Sequence, residues 1–218
     1  MVVLDAPTIR AVQKLPHWIV WPFDQITDFG KSGWFLWPLG ILFLILAAAP
    51  PDLPRPIQSV LAAIAVRVGF LFTAIAIPGL VNLLVKGVIG RARPFVSGVA
   101  DPFLFHPFVW RAAYASLPSG HVTTVFSVLV AFGSLWPQAR SVLWTYALLI
   151  AASRVMVLAH HPSDVLAGAL LGAFGALAVR HYFAERQLGF AIAPDGGIER
   201  LPGPSLRRIK AVARALLS

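Results

Sequence analysis

An all-α integral membrane bundle of five to six transmembrane helices is the fold that this 218-residue sequence predicts. Two observations carry it. Hydrophobic residues make up 58% of the chain and charged residues only 12%, about half the charged share of an ordinary soluble domain. The apolar residues also fall in long blocks, each approaching the ~20 residues that cross a bilayer. A chain of this composition cannot stay solvated as a disordered coil. Its net charge of +9 points, in a membrane setting, to anionic headgroups or a phosphorylated substrate and not to nucleic acid. The absence of cysteine removes disulfides, thiolate nucleophiles and cysteine metal sites together.

Taken in order, residues 1–33 are mixed, with Arg10, Lys14, Asp24, Asp28 and Lys31 among Trp- and Phe-rich patches. They lack the basic start and short apolar core of a cleavable signal peptide. The segment reads as interfacial, with Trp18, Trp21 and Phe23 at headgroup depth. Residues 34–49 form the first clear span, short enough to require tilt or local thinning of the bilayer. A proline-punctuated loop at 50–56 leads to a second span at 60–85, whose Arg67 lies within snorkelling reach of its start. The long loop 86–120 is rich in Pro, Phe and Arg. Spans follow at 122–136, closed by Trp136-Pro137, at 142–159, and at 165–179. In the last of these Gly168, Gly172 and Ala176 recur every four residues, a stripe that lets a neighbouring helix approach closely. The sequence therefore divides into an interfacial segment (1–33), a transmembrane domain (34–184) and a basic tail (185–218) whose residues 206–217 read as an amphipathic surface helix.

Folded up and down, these spans place every unusual polar cluster at one end. The first cluster, at the exit of the second span, holds Lys86, Arg91 and Arg93 followed by Pro94. The second is Pro118-Ser119-Gly120-His121, in which Ser119 is suited to cap a helix whose free N–H groups make a phosphate seat. The third holds Ser153-Arg154 and then His160-His161-Pro162-Ser163-Asp164. Arg154 sits in an apolar run, where a charge is costly and usually functional. His160 and Asp164 are four apart, so a helical turn brings the carboxylate to the imidazole and leaves the other ring nitrogen to attack.

Alone, each cluster has a structural explanation: snorkelling anchors, a capped helix start, an interfacial histidine like His17, His106 or His181. Together they supply three cations (Lys86, Arg93 and Arg154), a helix N-terminus, a carboxylate-backed His160 and a second histidine, His121. That inventory suits phosphoryl transfer without metal. Ligation of zinc by His121, His160, His161 and Asp164 is the rival, opposed by the fixed cations around them.

At these residues the chain resembles the type 2 phosphatidic acid phosphatases, the PAP2 family. Lys-x6-Arg-Pro at 86–94, Pro-Ser-Gly-His at 118–121 and Ser-Arg-x5-His-x3-Asp at 153–164 match all three signatures. The resemblance implies that His160 is the nucleophile of a phosphohistidine, that Asp164 supports it and that His121 protonates the leaving group. It implies that Lys86, Arg93, Ser119, Gly120 and Arg154 hold the phosphate, with no metal and no other cofactor. His161 misses the signature spacing by one residue and is assigned a supporting place. Arg91, also outside the signatures, is a candidate for a second phosphate.

The expected activity is removal of the terminal phosphate from a lipid phosphate or diphosphate held in the bilayer. Undecaprenyl diphosphate is the first choice, ahead of phosphatidylglycerol phosphate, phosphatidic acid and lipid A 1-phosphate. A phosphotransferase using a lipid acceptor, or a non-catalytic lipid-binding or transport protein, are the alternatives. Orientation follows from the basic residues not tied to the phosphate chemistry. Five of them (Arg10, Lys14, Lys31, Arg91, Arg111) lie on the motif side and nine (Arg55, Arg140, Arg180, Arg186, Arg200, Arg207, Arg208, Lys210, Arg214) on the tail side. This favours a cytoplasmic tail and a site facing the periplasm of a bacterial inner membrane.

Overall fold

The computed structural model describes residues 2–98 and 100–217; Met1 and Ser218, at the ends of the two terminal segments, and Val99, in the long loop, lie outside them. Helices α1 (Val2–Gln13) and α2 (His17–Thr27) precede α3 (Gly33–Ala47), α4 (Arg55–Ile89), α5 (Gly120–Leu135), α6 (Arg140–Met156) and α7 (Pro162–Glu185). Each of the five expected spans has its counterpart in α3 to α7. A short antiparallel hairpin, β1 (Phe190–Ile192) and β2 (Ile198–Arg200), leads to α8 (Leu206–Leu217).

The apolar residues face outward as well as inward, as a lipid solvent demands. Helix α3 buries no residue, and its Trp37, Leu44 and Ile45 are each more than 60% exposed. Conversely, Thr123, Thr124, Ser127 and Ser153 are buried inside the bundle. Among the described residues, three stretches are long and apolar enough to cross a membrane: His17–Ala47, Arg55–Ile89 and Pro162–Glu185. The shorter α5 lies at the centre, packed by α4, α6 and α7, and most of its residues are buried. A surrounded helix does not need full bilayer length, because its ends are covered by protein and not by lipid.

The glycine stripe is what seats α7 on α5. A Cβ added at Gly168 would fall 2.6 Å from the Ser119 carbonyl oxygen, and one at Gly172 only 2.2 Å from that of Thr123. Backbone therefore touches backbone, and Ser127 Oγ donates across the seam to the Gly172 carbonyl (3.2 Å). A second core, at the far end, gathers Phe70, Leu71, Ala131, Leu135, Val179 and Phe190. Phe190 reaches it from the hairpin and stacks edge-on against Phe70, with ring centroids 4.7 Å apart. Arg67 is half-buried, and its guanidinium donates to the Ala63 and Leu201 carbonyls at 2.7 and 3.0 Å.

Residues 1–33 differ from a plain surface segment. Trp18 and Trp21 are exposed as expected, but α2 packs on α6 and α1 reaches α7. Both α1 and the α2–α3 junction lie at the end of the bundle that carries the three polar clusters.

Candidate active site

Four helix termini converge at that end: the C-terminal turn of α4, the N-terminus of α5, the C-terminal turn of α6 and the N-terminus of α7. Gly90 closes α4 in the left-handed conformation (φ 61°), its N–H bonded to the Lys86 carbonyl. Any side chain there would collide with the His106 carbonyl, against which the loop folds back. From this turn Lys86 faces the start of α5, where a Cβ at Gly120 would come within 3.1 Å of Lys86 Nζ. Arg93 is held by its backbone N–H, which donates to Ala113 (2.8 Å). Arg154, 7% exposed, donates from Nη1 to Thr27 Oγ1 (2.5 Å), which also accepts from Ser153 Oγ (3.0 Å).

His160, His161 and Asp164 are almost wholly buried. The Asp164 carboxylate accepts on both oxygens: Arg91 Nη1 donates to Oδ1 (2.5 Å), Ser116 Oγ to Oδ2 (2.6 Å), and the His161 backbone N–H to Oδ2 (2.9 Å). His160 Nδ1 stands 3.8 Å from the same Oδ2 and 3.5 Å from Ser116 Oγ. Catalytic hydrogen bonds of that length commonly tighten when substrate binds. With Nδ1 directed to this pair, Nε2 points away from the carboxylate. Burial pushes the His160 imidazole down to about 4, against the opposing pull of Asp164, so the ring is neutral at neutral pH. The acid limb of log kcat/KM is therefore expected near pH 4 in place of the ~6.5 of an ordinary imidazole, once the substrate's own second ionisation near ~6 is divided out. A limb at the ordinary imidazole position would show that His160 is not buried as described.

His161 occupies the N-cap of α7, its Nδ1 3.3 Å from Asp164 Oδ2. Its contacts are those of a helix cap that orients the carboxylate. Two expectations change. The Ser119 hydroxyl makes no cap hydrogen bond; its backbone N–H donates to the Asp164 carbonyl (3.0 Å) and its Oγ stays buried without a partner. Arg91 is not free to take a second phosphate, because its guanidinium is clamped between Asp164 and Asp5 (Nη2 to Asp5 Oδ2, 2.8 Å). An arginine already paired with two buried carboxylates has no donor face left for a substrate.

Four residues of the site had gone unassigned. Asn82 is buried on α4 and donates to Thr123 Oγ1 (2.8 Å) and the Pro118 carbonyl (3.3 Å), tying α4 to the mouth of α5. Its signal was legible: an amide inside an apolar run, one turn before Lys86. Ser116, Thr27 and Asp5 carried no local signal.

Among the described residues, six buried side-chain atoms have no hydrogen-bond partner: Arg180 Nε elsewhere, His161 Nε2, and the four atoms Arg93 Nε, Ser119 Oγ, His121 Nε2 and Arg154 Nε. These last four belong to the same cluster, in which Lys86, Arg154 and His160 also face His121. Buried donors are normally paired, and a tetrahedral oxyanion seated between them would pair several at once. Beside them a cavity of about 370 Å³ is lined by Gly33, Gly79, Leu83, Lys86, Gly120 and His121 among others.

The sequence model of the PAP2 superfamily matches residues 67–188. The chain belongs to this superfamily. It is 37% identical to a lipid A 1-phosphatase of Rhizobium johnstonii over 198 residues, covering 90% of this chain and 80% of that protein. Its fold is shared with the crystal structure of LpxE from Aquifex aeolicus (TM-score 0.59, 20% identity, 82% of this chain and 96% of that one). It is shared equally with that of the first transmembrane PAP2-type phosphatidylglycerolphosphate phosphatase of Bacillus subtilis (TM-score 0.59, 20% identity, 84% and 86%). The expected PAP2 membership and the helical membrane fold are thus both borne out, and this PAP2 chain is an integral membrane protein.

Proposed function

We propose that this PAP2 protein is a metal-independent lipid phosphatase working through a phosphohistidine on His160, with a lipid A 1-phosphate as its first substrate. The observation that carries the chemistry is the group of buried, unpartnered donors from Arg93, Ser119, His121 and Arg154 around a neutral His160. In the first step His160 Nε2 bonds to phosphorus as the P–O bond to the lipid breaks, and His121 delivers a proton to the leaving oxygen. In the second, water attacks phosphorus, His121 takes its proton, and the P–N bond breaks to release phosphate. Lys86, Arg93 and Arg154, with the Ser119 hydroxyl and the amides at Gly120, neutralise the equatorial oxygens in both steps. Asp164 steadies the imidazolium that forms.

The substrate reading is supported by the similarity to a lipid A 1-phosphatase along nine-tenths of the chain. Undecaprenyl diphosphate, the first choice on sequence alone, is placed second. The deciding experiment is phosphate release by purified protein from a panel of lipid A 1-phosphate, undecaprenyl diphosphate, phosphatidylglycerol phosphate and phosphatidic acid. Lipid A 1-phosphate is expected to give the highest kcat/KM. Turnover survives EDTA and is inhibited by vanadate, which copies the pentacoordinate transition state. A strict requirement for Mg²⁺ or Zn²⁺ would overturn the mechanism, and a second phosphorylated lipid in place of free phosphate would make the protein a phosphotransferase.

The site is proposed to face the periplasm from the inner membrane, with the tail in the cytoplasm. Phe103→Cys, in the exposed part of the long loop, is then labelled by an impermeant maleimide in intact spheroplasts, whereas Ser205→Cys is labelled only after lysis. The reverse pattern would invert the protein.

A further inference from the structure

Asp5 is fully buried although it lies on α1, far outside the matched residues 67–188. Its carboxylate is saturated. Oδ1 accepts from the Ser163 backbone N–H (2.9 Å), and Oδ2 accepts from Ser163 Oγ (2.5 Å) and Arg91 Nη2 (2.8 Å). Arg91 Nη1 donates in turn to Asp164 Oδ1 and to Ser163 Oγ (2.7 Å), while Nε donates to the Pro102 carbonyl (3.0 Å). One guanidinium is thus shared by two buried carboxylates, one of which backs the proposed nucleophile.

The arrangement sets a charge balance. Asp5, Arg91 and Asp164 together carry one net negative charge, so a positive imidazole at His160 is neutralised by the group. An Arg91–Asp164 pair alone would carry none, and the carboxylate would be spent on its arginine. Asp5 draws on the other side of the guanidinium and leaves Asp164 with charge to offer. It also fixes Ser163, the residue next to Asp164, so that Oδ1 stays with Arg91 and Oδ2 is presented to Ser116 and His160.

We propose that Asp5 is a positioning residue of the reaction: through Arg91 and Ser163 it orients Asp164 and preserves the negative charge that stabilises His160 as it becomes cationic. This inference rests on the phosphohistidine reading of His160. It gives α1 a part in turnover.

The groups facing His160 are Asp164 on α7, Arg154 on α6, Lys86 on α4 and His121 on α5. None of them is altered in Asp5→Asn, so a change in His160 behaviour reports the Asp5 link. The test compares wild type, Asp5→Asn and Asp5→Glu in detergent by rapid quench, with active sites counted as ³²P-labelled phosphohistidine. Asp5→Asn is expected to slow phosphoenzyme formation per active site by about tenfold, as outer-shell partners of reactive groups typically do, with KM little changed. Its acid limb moves to lower pH, because the imidazolium has lost negative charge. Asp5→Glu, which keeps the charge, recovers most of the rate.

A merely structural role predicts something else: fewer active sites and a lower thermal midpoint, but a normal rate per site and an unmoved limb. That result, or equal rates for the Asn and Glu variants, overturns the proposal. If wild type forms no phosphohistidine, the reading of the site itself fails. If wild type forms it and Asp5→Asn matches it, only the role of Asp5 fails.

Discussion

Replacing His160 by Ala abolishes turnover, with kcat falling by about 10⁴-fold or more, as removal of a covalent nucleophile does. No phosphoenzyme forms, because the attacking nitrogen is gone; the other carboxylate-backed imidazole, His161, keeps a buried Nε2 without a partner and is the group to test beside it. His160 lies in the turn between α6 and α7, so its loss leaves the α5–α7 seam in place and the variant folds. The neighbouring His161→Ala separates the two adjacent histidines. It removes a ring 3.3 Å from Asp164 Oδ2, but the backbone N–H at 161 still donates to that oxygen and caps α7. His161→Ala therefore retains phosphohistidine formation at a reduced rate and with some loss of stability. Rapid-quench detection of the phosphoenzyme checks both. A dead His161→Ala beside an active His160→Ala would move the nucleophile by one residue.

Gly172→Val costs the protein its fold, or close to it. The Cβ alone would sit 2.2 Å from the Thr123 carbonyl oxygen and 3.1 Å from the Ser127 backbone nitrogen. These are backbone atoms of a central helix that cannot turn aside as a side chain could. Relief requires α7 to move off α5, which also breaks the Ser127-to-Gly172 hydrogen bond and pulls Asp164 from Ser119. Overpacking in a well-packed interior costs about 1–3 kcal/mol and more where backbone must shift. The expected result is a sharp fall in detergent-solubilised yield and thermal midpoint, together with lost activity. Gly40→Ala is the milder comparison, since its Cβ would meet only the edge of the Phe72 ring, at 3.3 Å. A Gly172→Val protein that melts with wild type would mean that the helices are not in backbone contact.

Much of this was legible in the sequence because the signals were local. Each of the spans at 34–49, 60–85, 122–136, 142–159 and 165–179 is a contiguous apolar block, and the glycine stripe repeats at one helical turn. Lys86, Arg93, Ser119, Gly120, His121, Arg154, His160 and Asp164 were legible because charged and polar residues at helix ends stand out against an apolar chain. What escaped depends on tertiary contact. In sequence Arg91 is one more cation beside the anion site; its partner Asp5 lies 86 positions away and is set against it only by the fold. Ser116 and Thr27 are ordinary hydroxyl residues whose importance comes only from what folding sets beside them. The hairpin escaped too, since three-residue strands leave almost no alternation to read.

The cavity beside Lys86 and His121 has a consequence for how the enzyme samples its substrate. One wall is formed by Leu83 and Gly79 of α4, and Leu83 is 56% exposed on the apolar outer surface. A lipid whose chains remain in the leaflet can slide its phosphate past Leu83 toward the cations without leaving the membrane. Encounter then takes place in two dimensions, and the concentration that saturates the enzyme is a mole fraction in the leaflet, not a molarity in water. Diluting the substrate with inert detergent at constant bulk concentration should slow turnover, and adding more of the same mixed micelles should not restore it.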